Sequence, residues 1–494
     1  MSLRSSWPRV IAGLVVVLGS TLVSPAGEVA ALPGTGAPSV PLLASPVYKA
    51  TTVSGGSLHT CAVTTKGKLL CWGSNTAGQL GNNSTTNSDV PVAVYGLTKG
   101  VKAVATGYSH SCALTTKGKV WCWGDNTTTD SLKPVAVYGL AGRVKSISTG
   151  DYTTCVLTTK GTVKCWGYGA NGELGNNATS NSSQPVGVYG LTKGVKAVAT
   201  GYSHSCALTT KGKVWCWGDN NYGQLGDNST TDSLKPVAVY GLSRVKSIST
   251  GDYTTCALTT KGTVKCWGYG ANGELGNNAT SNSSQPVGVY QLKHVTALMN
   301  GSYHACALVS GGKPVCWGYN GVGELGNNTA TSSPKPVAVY GLTSGVKQIA
   351  GGSYHTCAVT SKGAVRCWGY NAYGQLGDNT TTNTVQPVHV LGLNSGMKTV
   401  KAGYSSTCAL SKSGKVKCWG FNGYGQVGDN TTTNRLTPVG VYNLDKANTL
   451  TVGYYHACVV TAKKAVKCWG YNGYGALGNN TTTNSSEPVR TAGF

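Results

Sequence analysis

The sequence has little from which long helices could be built. Among its 494 residues only two are phenylalanine, whereas 70 are glycine. No segment repeats apolar residues with the 3.6-residue period of an amphipathic helix over a sustained stretch. These deficits argue against a bundle of long helices and favour short strands joined by turns.

Familiar catalytic motifs are also missing. The chain has no nucleophile elbow, no H-E-x-x-H and no phosphate-binding Walker loop. The sequence does not exclude a pair of carboxylates suited to glycoside cleavage, because loops of different repeats can meet in space. A hydrolase or lyase is therefore one alternative. Since the loop acids recur as copies, we expect a protein that is not an enzyme and that uses no cofactor or metal.

The N-terminal stretch has the pattern of a secretory signal. Arg4 and Arg9 form a basic start, and residues 10–23 are an apolar stretch too short for a comfortable membrane span. We expect a signal peptide at 1–31, a linker at 32–44, and a secreted, extracellular protein without stable membrane insertion after cleavage. An uncleaved membrane anchor is the alternative.

What the sequence does contain is a repeat built around cysteine. All 18 cysteines form pairs ten positions apart, and Trp-Gly follows each second cysteine. Successive first cysteines lie 43 to 51 residues apart, so one unit of about fifty residues is present nine times. The pairs are Cys61 with Cys71, Cys112 with Cys122, Cys155 with Cys165, Cys206 with Cys216, Cys256 with Cys266, Cys306 with Cys316, Cys357 with Cys367, Cys408 with Cys418 and Cys458 with Cys468.

The spacing of ten fits a disulfide across a β-hairpin. If residues 65–67 form a three-residue loop with Gly67 in the left-handed position, Cys61 faces Cys71. Alternation along the hairpin makes this a non-hydrogen-bonded pair, in which the α-carbons lie close enough for a disulfide. We therefore expect nine structural disulfides.

Two other uses of the cysteines fit less well. Structural zinc sites and catalytic redox pairs place their cysteines two to four residues apart, which this spacing does not match. Glycine holds the turn position in eight repeats, but the last repeat has Lys464 there. We expect that turn to be strained or different.

Each unit also predicts four short strands, A to D, such as V-K-A-V-A-T and P-V-A-V-Y-G-L on either side of the cysteine hairpin. Four-stranded sheets at a constant period are typical of β-propeller blades.

Residues 201–242 resemble the repeat of the regulator of chromosome condensation family, with its Gly-x-x-His, Ala-Leu, turn glycine, Trp-Gly-x-Asn and Gly-Gln-Leu-Gly. The resemblance implies a β-propeller, typically of seven blades, to which the cysteine pairs are an addition.

The count of nine has a visible origin. Residues 96–126 are identical to 190–220, and residues 144–189 match 245–290 with one difference, so two repeats have been duplicated. Repeat 2 also lacks the Gly-Gln-Leu-Gly segment. We expect an all-β fold over residues 45–494, a propeller of nine four-stranded antiparallel blades. A seven-bladed or an open ring are the alternatives.

The positive charge falls on one predicted face. Basic residues outnumber acidic ones 40 to 16, for a formal net charge of +24. In an up-and-down blade the B–C turn and the D–A link share a face, and lysine holds the middle of the B–C turn in seven repeats: Lys66, Lys117, Lys160, Lys211, Lys261, Lys362 and Lys463. The D–A links add Lys99, Lys102, Lys193 and Lys196 to this face. These lysines either keep a β-protein soluble or bind an anionic cell-surface polymer. Without interleaved arginine or aromatic residues we expect no specific nucleic-acid partner.

The opposite face should carry the A–B and C–D loops, which are rich in tyrosine and asparagine. They also hold many of the carboxylates: Glu173, Glu274, Glu324, Asp378 and Asp429. Tyrosine gives a large contact area at low entropic cost, which suits protein or carbohydrate contact. The candidate contact residues are Tyr222, Tyr373, Tyr424 and Tyr474.

Histidine precedes the first cysteine by two positions in six repeats: His59, His110, His204, His304, His355 and His456. Blades would hold these side chains too far apart to share a metal, and the resemblance implies a structural hydrogen bond at the A–B corner.

The leading hypothesis is a secreted, non-enzymatic scaffold that binds an extracellular protein or adheres to an anionic cell-surface polymer. Because the family it resembles includes secreted propellers that hold β-lactamases, a protein inhibitor of an extracellular enzyme is the first alternative. The guanine nucleotide exchange role of nuclear members is another, against which export and the disulfides argue.

Overall fold

The computed structural model describes residues 48–55, 58–106, 109–125, 131–136, 144–149, 153–251, 253–300, 303–352, 354–453 and 455–494. The predicted signal peptide and linker lie outside these residues. None of the described residues belongs to a helix with the length and apolar run that crossing a bilayer requires.

The chain folds into a β-propeller of nine blades, each a four-stranded antiparallel sheet made from one repeat. Blade 1 is β1–β4, blade 2 is β5–β8, and so on to β33–β36 in blade 9. The A strands are Ala50–Gly55, Val101–Thr106, Val144–Thr149, Val195–Thr200, Val245–Thr250, Val295–Asn300, Val346–Gly351, Met397–Ala402 and Ala447–Val452. The B strands are His59–Thr64, His110–Thr115, Thr153–Thr158, His204–Thr209, Thr254–Thr259, His304–Val309, His355–Thr360, Ser406–Ser411 and His456–Thr461.

The C strands are Leu69–Gly73, Val120–Gly124, Val163–Gly167, Val214–Gly218, Val264–Gly268, Lys313–Gly318, Val365–Gly369, Val416–Gly420 and Val466–Gly470. The D strands are Ser88–Ala93, Ser131–Ala136, Ser182–Gly187, Ser233–Ala238, Ser283–Gly288, Ser333–Ala338, Thr384–His389, Arg435–Gly440 and Ser485–Arg490. A single 3-10 turn, Ser310–Gly312, joins β22 and β23 among the described residues. The prediction of nine four-stranded blades is confirmed.

The cysteine hairpin has the predicted register. Cys61 lies opposite Cys71, and the turn is closed by bonds from Thr64 N to Lys68 O (2.9 Å) and from Gly67 N to Thr64 O (2.8 Å). Gly67 takes the left-handed conformation, with φ of 74°.

Every predicted cysteine pair forms a disulfide within its own blade. The α-carbons of the paired cysteines lie 4.1 to 4.2 Å apart, as expected for residues that face each other across a hairpin. Cys61 is bonded to Cys71, Cys112 to Cys122, Cys155 to Cys165, Cys206 to Cys216, Cys256 to Cys266, Cys306 to Cys316, Cys357 to Cys367, Cys408 to Cys418 and Cys458 to Cys468. Each B strand is thus joined covalently to its C strand.

The turn of blade 9 has the geometry of the other turns but places a lysine in the position of their glycine. Lys464 adopts φ of 68°, the conformation glycine has in the other repeats, and its amide bonds to the carbonyl of Thr461 at 2.9 Å as in those turns. Of the two expected outcomes, the turn is therefore strained rather than different. The residue is held in a conformation that costs an L-residue about 1–2 kcal/mol.

The ring is closed, and the apolar cores lie between neighbouring blades. Among the described residues, eight junctions have an indole Nε1 of one blade that donates to a loop carbonyl of the preceding blade at 2.7 to 2.9 Å, and Trp72 of blade 1 donates in this way to Ala476 of blade 9. The other pairs are Trp123 to Gln79, Trp217 to Glu173, Trp267 to Gln224, Trp317 to Glu274, Trp368 to Glu324, Trp419 to Gln375 and Trp469 to Gln426. Ala50 N also donates to Lys464 O at 2.6 Å across the closing junction.

Candidate binding faces

The two faces of the ring differ in chemistry because the strands alternate in direction. Each B–C turn is hydrogen-bonded to the following D–A link, as in the bond from Val101 N to Gly67 O at 2.8 Å. This face is called the lysine face. The A–B and C–D loops emerge on the opposite side, which is called the tyrosine face.

The seven predicted turn lysines are all exposed on the lysine face. Lys463 pairs with Asp445 at 3.8 Å, but the two side chains are 80% and 48% exposed, so this pair contributes little to stability. In the described ranges no carboxylate pairs with the other six. Their positive charge is therefore uncompensated by direct ion pairs, and their role in binding stays a prediction.

A second set of lysines lies on this face, and the sequence placed only two of them there, Lys102 and Lys196. Every A strand carries a β-bulge after its first residue, so its second residue is an extra one, as Lys102 is between Val101 and Ala103. Six of these second residues are exposed lysines, called the bulge lysines: Lys102, Lys145, Lys196, Lys246, Lys347 and Lys398. The other four recur in similar V-K-x-hydrophobic segments, but simple strand alternation gave no reason to place them on this face.

The bulge lysines surround the ring axis. Neighbouring A strands contact each other directly, as Ser54 Oγ and Thr106 Oγ1 do at 2.9 Å, so these strands are the innermost ones. Lys196 Nζ reaches the carbonyl of Lys246 in the next A strand, at 3.4 Å. The lysine face thus has an inner ring of bulge lysines and an outer ring of turn lysines.

On the tyrosine face, aromatic rings form a continuous network over blades 6 to 9. Ten tyrosines and Phe421 make successive ring contacts with centroids 5.0 to 6.5 Å apart. This tyrosine arc consists of Tyr303, Tyr319, Tyr354, Tyr370, Tyr373, Tyr404, Phe421, Tyr424, Tyr455, Tyr471 and Tyr474. A smaller cluster in blades 4 and 5 contains Tyr202, Tyr222, Tyr253 and Tyr269.

Three of the four predicted contact tyrosines, Tyr373, Tyr424 and Tyr474, lie in the arc, and Tyr222 lies in the smaller cluster. The sequence placed the G-Y-S-H and Y-N-G-Y-G loops on this face, but only C–D loop tyrosines were named as contacts, not those that follow Trp-Gly or precede the B strands. Both positions recur in the repeats, and only the packing of adjacent blades shows that they meet. Blade 1 has Leu58, Ser74 and Ala77 at the three corresponding positions.

Burial keeps several hydroxyls of the arc neutral. It raises the pKa of Tyr354, Tyr370 and Tyr471 above the ordinary value, and neighbouring tyrosines add to the shift. Burial thus favours the neutral form of these three hydroxyl groups, which can donate and accept hydrogen bonds.

Several of the loop carboxylates serve their own loops. Glu173, Glu274 and Glu324 are buried. Glu324 Oε2 accepts a bond from Val322 N at 3.0 Å, so the carboxylate satisfies the amides of its own loop. Burial raises the pKa of Glu324 to about 6. Asp429 forms an ion pair with Arg435.

An asparagine at the base of the C–D loop holds that loop in place in six blades, whereas blades 3 and 5 have Gly169 and Gly270 there. Asn371 Nδ2 donates to Asp378 Oδ1 and to the carbonyls of Thr380 and Thr382, all at 3.1 Å. Its Oδ1 accepts from Leu376 N at 2.9 Å. Equivalent residues are Asn75, Asn220, Asn320, Asn422 and Asn472. The loops that carry the arc are thus preorganised by their own side chains.

The six histidines are buried and join neighbouring blades rather than capping a corner within one. His304 Nε2 lies 2.9 Å from Thr356 Oγ1 of the next blade, and Thr356 donates to the carbonyl of Glu324 at 3.0 Å. The hydroxyl must therefore accept the Nε2 proton, which fixes the histidine tautomer. Burial lowers the pKa of His304 to about 4. The remaining bonds are His59–Ser111, His110–Thr154, His204–Thr255, His355–Thr407 and His456–Thr60.

Known proteins share this architecture. A family model for the RCC1-like domain matches residues 26–344 and 243–493. The Arabidopsis thaliana ultraviolet-B receptor UVR8 is 30% identical over 404 residues, which cover 80% of this chain and 71% of UVR8. The human E3 ubiquitin-protein ligase HERC2 is 32% identical over 213 residues, 40% of this chain, and the match spans only 4% of HERC2. The crystal structure of human WBSCR16 aligns with a TM-score of 0.52 at 20% identity, over 80% of this chain and 99% of that one, which shows a common fold.

Proposed function

The chain belongs to the RCC1-like domain family, and on that premise we propose that it is a non-enzymatic scaffold that binds a protein partner through the tyrosine arc. The observation that carries this proposal is the continuity of the arc, whose rings touch one another across four neighbouring blades. Large aromatic side chains on rigid loops are the residues that supply most binding energy at protein interfaces.

The packing of the rings favours a protein over a carbohydrate. Tyr373 meets Phe421 edge-on at 5.0 Å, and Tyr424 meets Tyr471 in the same way at 5.1 Å. In this arrangement the face of one ring is covered by the edge of the next, so few flat faces stay open to stack on sugars. Exposed edges and hydroxyl groups match the mixed apolar and polar chemistry of a protein surface.

No catalytic role is part of the proposal. The recurring loop acids, such as Glu324, serve the amides of their own loops, and the buried histidines bond to hydroxyls between blades. Two of the relatives are ligases by name, but the match spans 4% of HERC2 and 14% of HERC5, so we transfer no ligase activity.

We also infer that the protein is exported. The support is the apolar stretch at residues 10–23 after a basic start, together with disulfide bonding of all 18 cysteines, which needs an oxidising compartment. Protein recovered from the culture medium should begin close after residue 26 or 31 by N-terminal sequencing. Retention of the intact chain inside the cell would contradict export.

Capture from the native culture medium tests the scaffold role. The intact chain, fixed through its lysine face, should retain one protein in a one-to-one ratio, which mass spectrometry identifies and calorimetry then titrates. If that partner is an enzyme, its activity in the complex decides whether the scaffold is an inhibitor. Retention of neutral glycan without any protein would overturn the proposal.

Matched variants tie the binding to the arc. The double variant Tyr424→Ala and Tyr455→Ala should weaken binding of the identified partner at least tenfold, since central interface tyrosines contribute roughly 2 kcal/mol or more. The control is Tyr240→Ala, a tyrosine on the lysine-face side of blade 4 that is 57% exposed. It should leave the affinity within about twofold. Equal losses in the two variants would place the partner elsewhere.

A further inference from the structure

The lysine face carries a second binding function, independent of the tyrosine arc. We propose that this face binds a polymer bearing tetrahedral oxyanions, phosphate or sulfate, and that the cleft between blades 8 and 9 holds one such group.

The cleft is formed by three different elements of the fold. Lys398 is the bulge lysine of blade 8, Lys412 belongs to the B–C turn of the same blade, and Lys446 lies in the link to blade 9. All three line one cleft with a volume of about 170 Å³, open to the lysine face. Residues from three separate elements thus line one cleft, which sets this place apart from the isolated lysines of the other turns.

Hydroxyl groups complete the cleft. In blade 8 the turn position that is lysine in seven repeats is Ser413, and its hydroxyl lies 2.9 Å from that of Ser411. Both serines and Asn448 line the cleft. The shorter side chain of Ser413 leaves room where a lysine would project, and it supplies a donor in place of a fourth ammonium group.

The charge of the cleft is not balanced within the protein. In the described ranges no carboxylate lies within ion-pair distance of Lys398, Lys412 or Lys446. The neighbouring acid, Asp445, pairs instead with Lys463 at 3.8 Å. Three ammonium groups around one space repel one another, and an anion between them removes that repulsion.

The donor set identifies the ligand class. Ammonium groups and hydroxyls that approach from several directions match the oxygens of phosphate or sulfate, whereas a planar carboxylate is matched best by the fork of arginine, which is absent among the residues lining the cleft. The five other bulge lysines continue round the ring axis from Lys398. Successive anionic groups of one chain therefore meet further lysines, which favours a polymer over a single ion.

The test uses the intact protein with four probes: inorganic polyphosphate, dextran sulfate, hyaluronate and single-stranded DNA, at about 150 mM salt. Polyphosphate or dextran sulfate should bind, and their relative affinities distinguish the phosphate from the sulfate source. Binding should weaken steeply as salt rises, because counterions are released. Tighter binding of hyaluronate, whose charges are planar carboxylates, than of polyphosphate and dextran sulfate would overturn the oxyanion assignment. DNA carries phosphate groups together with aromatic bases, so tighter binding of DNA than of polyphosphate would point to contacts with the bases and contradict a face that binds by its oxyanion contacts alone.

Two triple variants with the same loss of charge separate the cleft from the general field. Lys398→Ala, Lys412→Ala and Lys446→Ala together should reduce polyphosphate affinity more than tenfold. The control removes three turn lysines, Lys66→Ala, Lys117→Ala and Lys160→Ala, and should reduce it less than threefold. Equal losses would show that the charge acts diffusely and that no cleft site exists.

Two further measurements keep the result interpretable. Melting temperatures of both triple variants establish that each is folded, as expected for exposed side chains. Retained polyphosphate binding by the double variant Tyr424→Ala and Tyr455→Ala shows that the two faces bind separately. Loss of polyphosphate binding in that variant would place the polymer on the tyrosine face and overturn the proposal.

Discussion

Phe494 packs against Trp72 with ring centroids 6.1 Å apart, across the junction where blade 9 meets blade 1. Strand β36 stays in the sheet of blade 9 and β1 in the sheet of blade 1, so no strand is shared between the two ends. The segment T-A-G-F at 491–494 stands where other repeats have V-Y-G-L, and the phenylalanine fills the place of their buried leucine. Closure of the ring thus rests on the packing of this junction.

Replacement of Phe494 by alanine should therefore weaken the whole ring. The side chain is fully buried, and removal of a buried phenylalanine costs about 3–5 kcal/mol. Urea denaturation should show a drop of that size in the free energy of unfolding. The control Leu391→Ala, at a side chain 45% exposed, should change it by less than about 0.5 kcal/mol. A similarly small change for Phe494→Ala would mean that the junction does not hold the ring.

Lys464→Gly should stabilise the protein. Lys464 has φ of 68°, and relief of this left-handed conformation outweighs the greater backbone freedom of glycine in the unfolded chain. The free energy of unfolding should rise by roughly 0.5–1 kcal/mol. The reverse change, Gly212→Ala, should lower it, because an added Cβ would lie 2.9 Å from Val245 N. Opposite signs in the two variants are the diagnostic result, and no difference between them would contradict the argument.

Local features of the fold could be read from the sequence, and those that depend on neighbouring blades could not. The register of Cys61 and Cys71 follows from one glycine turn, and the four-strand repeat follows from local alternation. The bulge that exposes Lys102 is invisible to alternation, because it adds a residue to the count. Likewise, Glu324 looks like a surface acid in a polar loop, and only the folded loop shows the amide that it satisfies.

The candidate sites also contain some residues that the sequence identifies and others that only the packing of neighbouring blades reveals. Tyr424 was identifiable because its loop is polar and recurrent. Tyr424 contacts Tyr455, which precedes the B strand of the next blade, and Phe421, which follows the C strand of its own blade. Nothing in the sequence indicates that these rings meet. The lysine cleft needs residues from two blades and a serine that breaks the repeat, so no single repeat contains its pattern.

The buried histidines should make the protein sensitive to acid. The pKa of His304 is lowered to about 4 by burial, against an ordinary value of 6.5. The unfolded chain thus binds the proton more readily than the folded protein does. The stability that the neutral histidine contributes is therefore complete above pH 6.5 and is lost as the pH falls towards 4. The loss for one such histidine is roughly 3 kcal/mol.

His304→Gln tests that source of pH dependence. Glutamine can still donate to Thr356 but does not titrate, so the decline in unfolding free energy between about pH 7 and pH 4.5 should be shallower than in the parent. The exposed His294, whose substitution His294→Gln is the control, should leave the slope unchanged. An unaltered slope in His304→Gln would show that this histidine is not a source of the acid sensitivity.

The substitution Glu324→Gln should alter the pH dependence of stability in the opposite direction. Burial raises the pKa of Glu324 to about 6 from an ordinary value near 4.5, so the folded state holds the proton more tightly and loses stability as the pH rises through that range. Four repeats have glutamine at the equivalent position, as Gln375 does, so the loop accepts the neutral side chain. The change in unfolding free energy caused by the substitution should be more favourable at pH 7.5 than at pH 4.5, by roughly 1–2 kcal/mol.

The exposed Glu487, changed to glutamine, should show no such difference between the two pH values. If Glu324→Gln also shows none, the carboxylate is ionised in the folded protein without cost, and its loop, rather than burial, governs its titration.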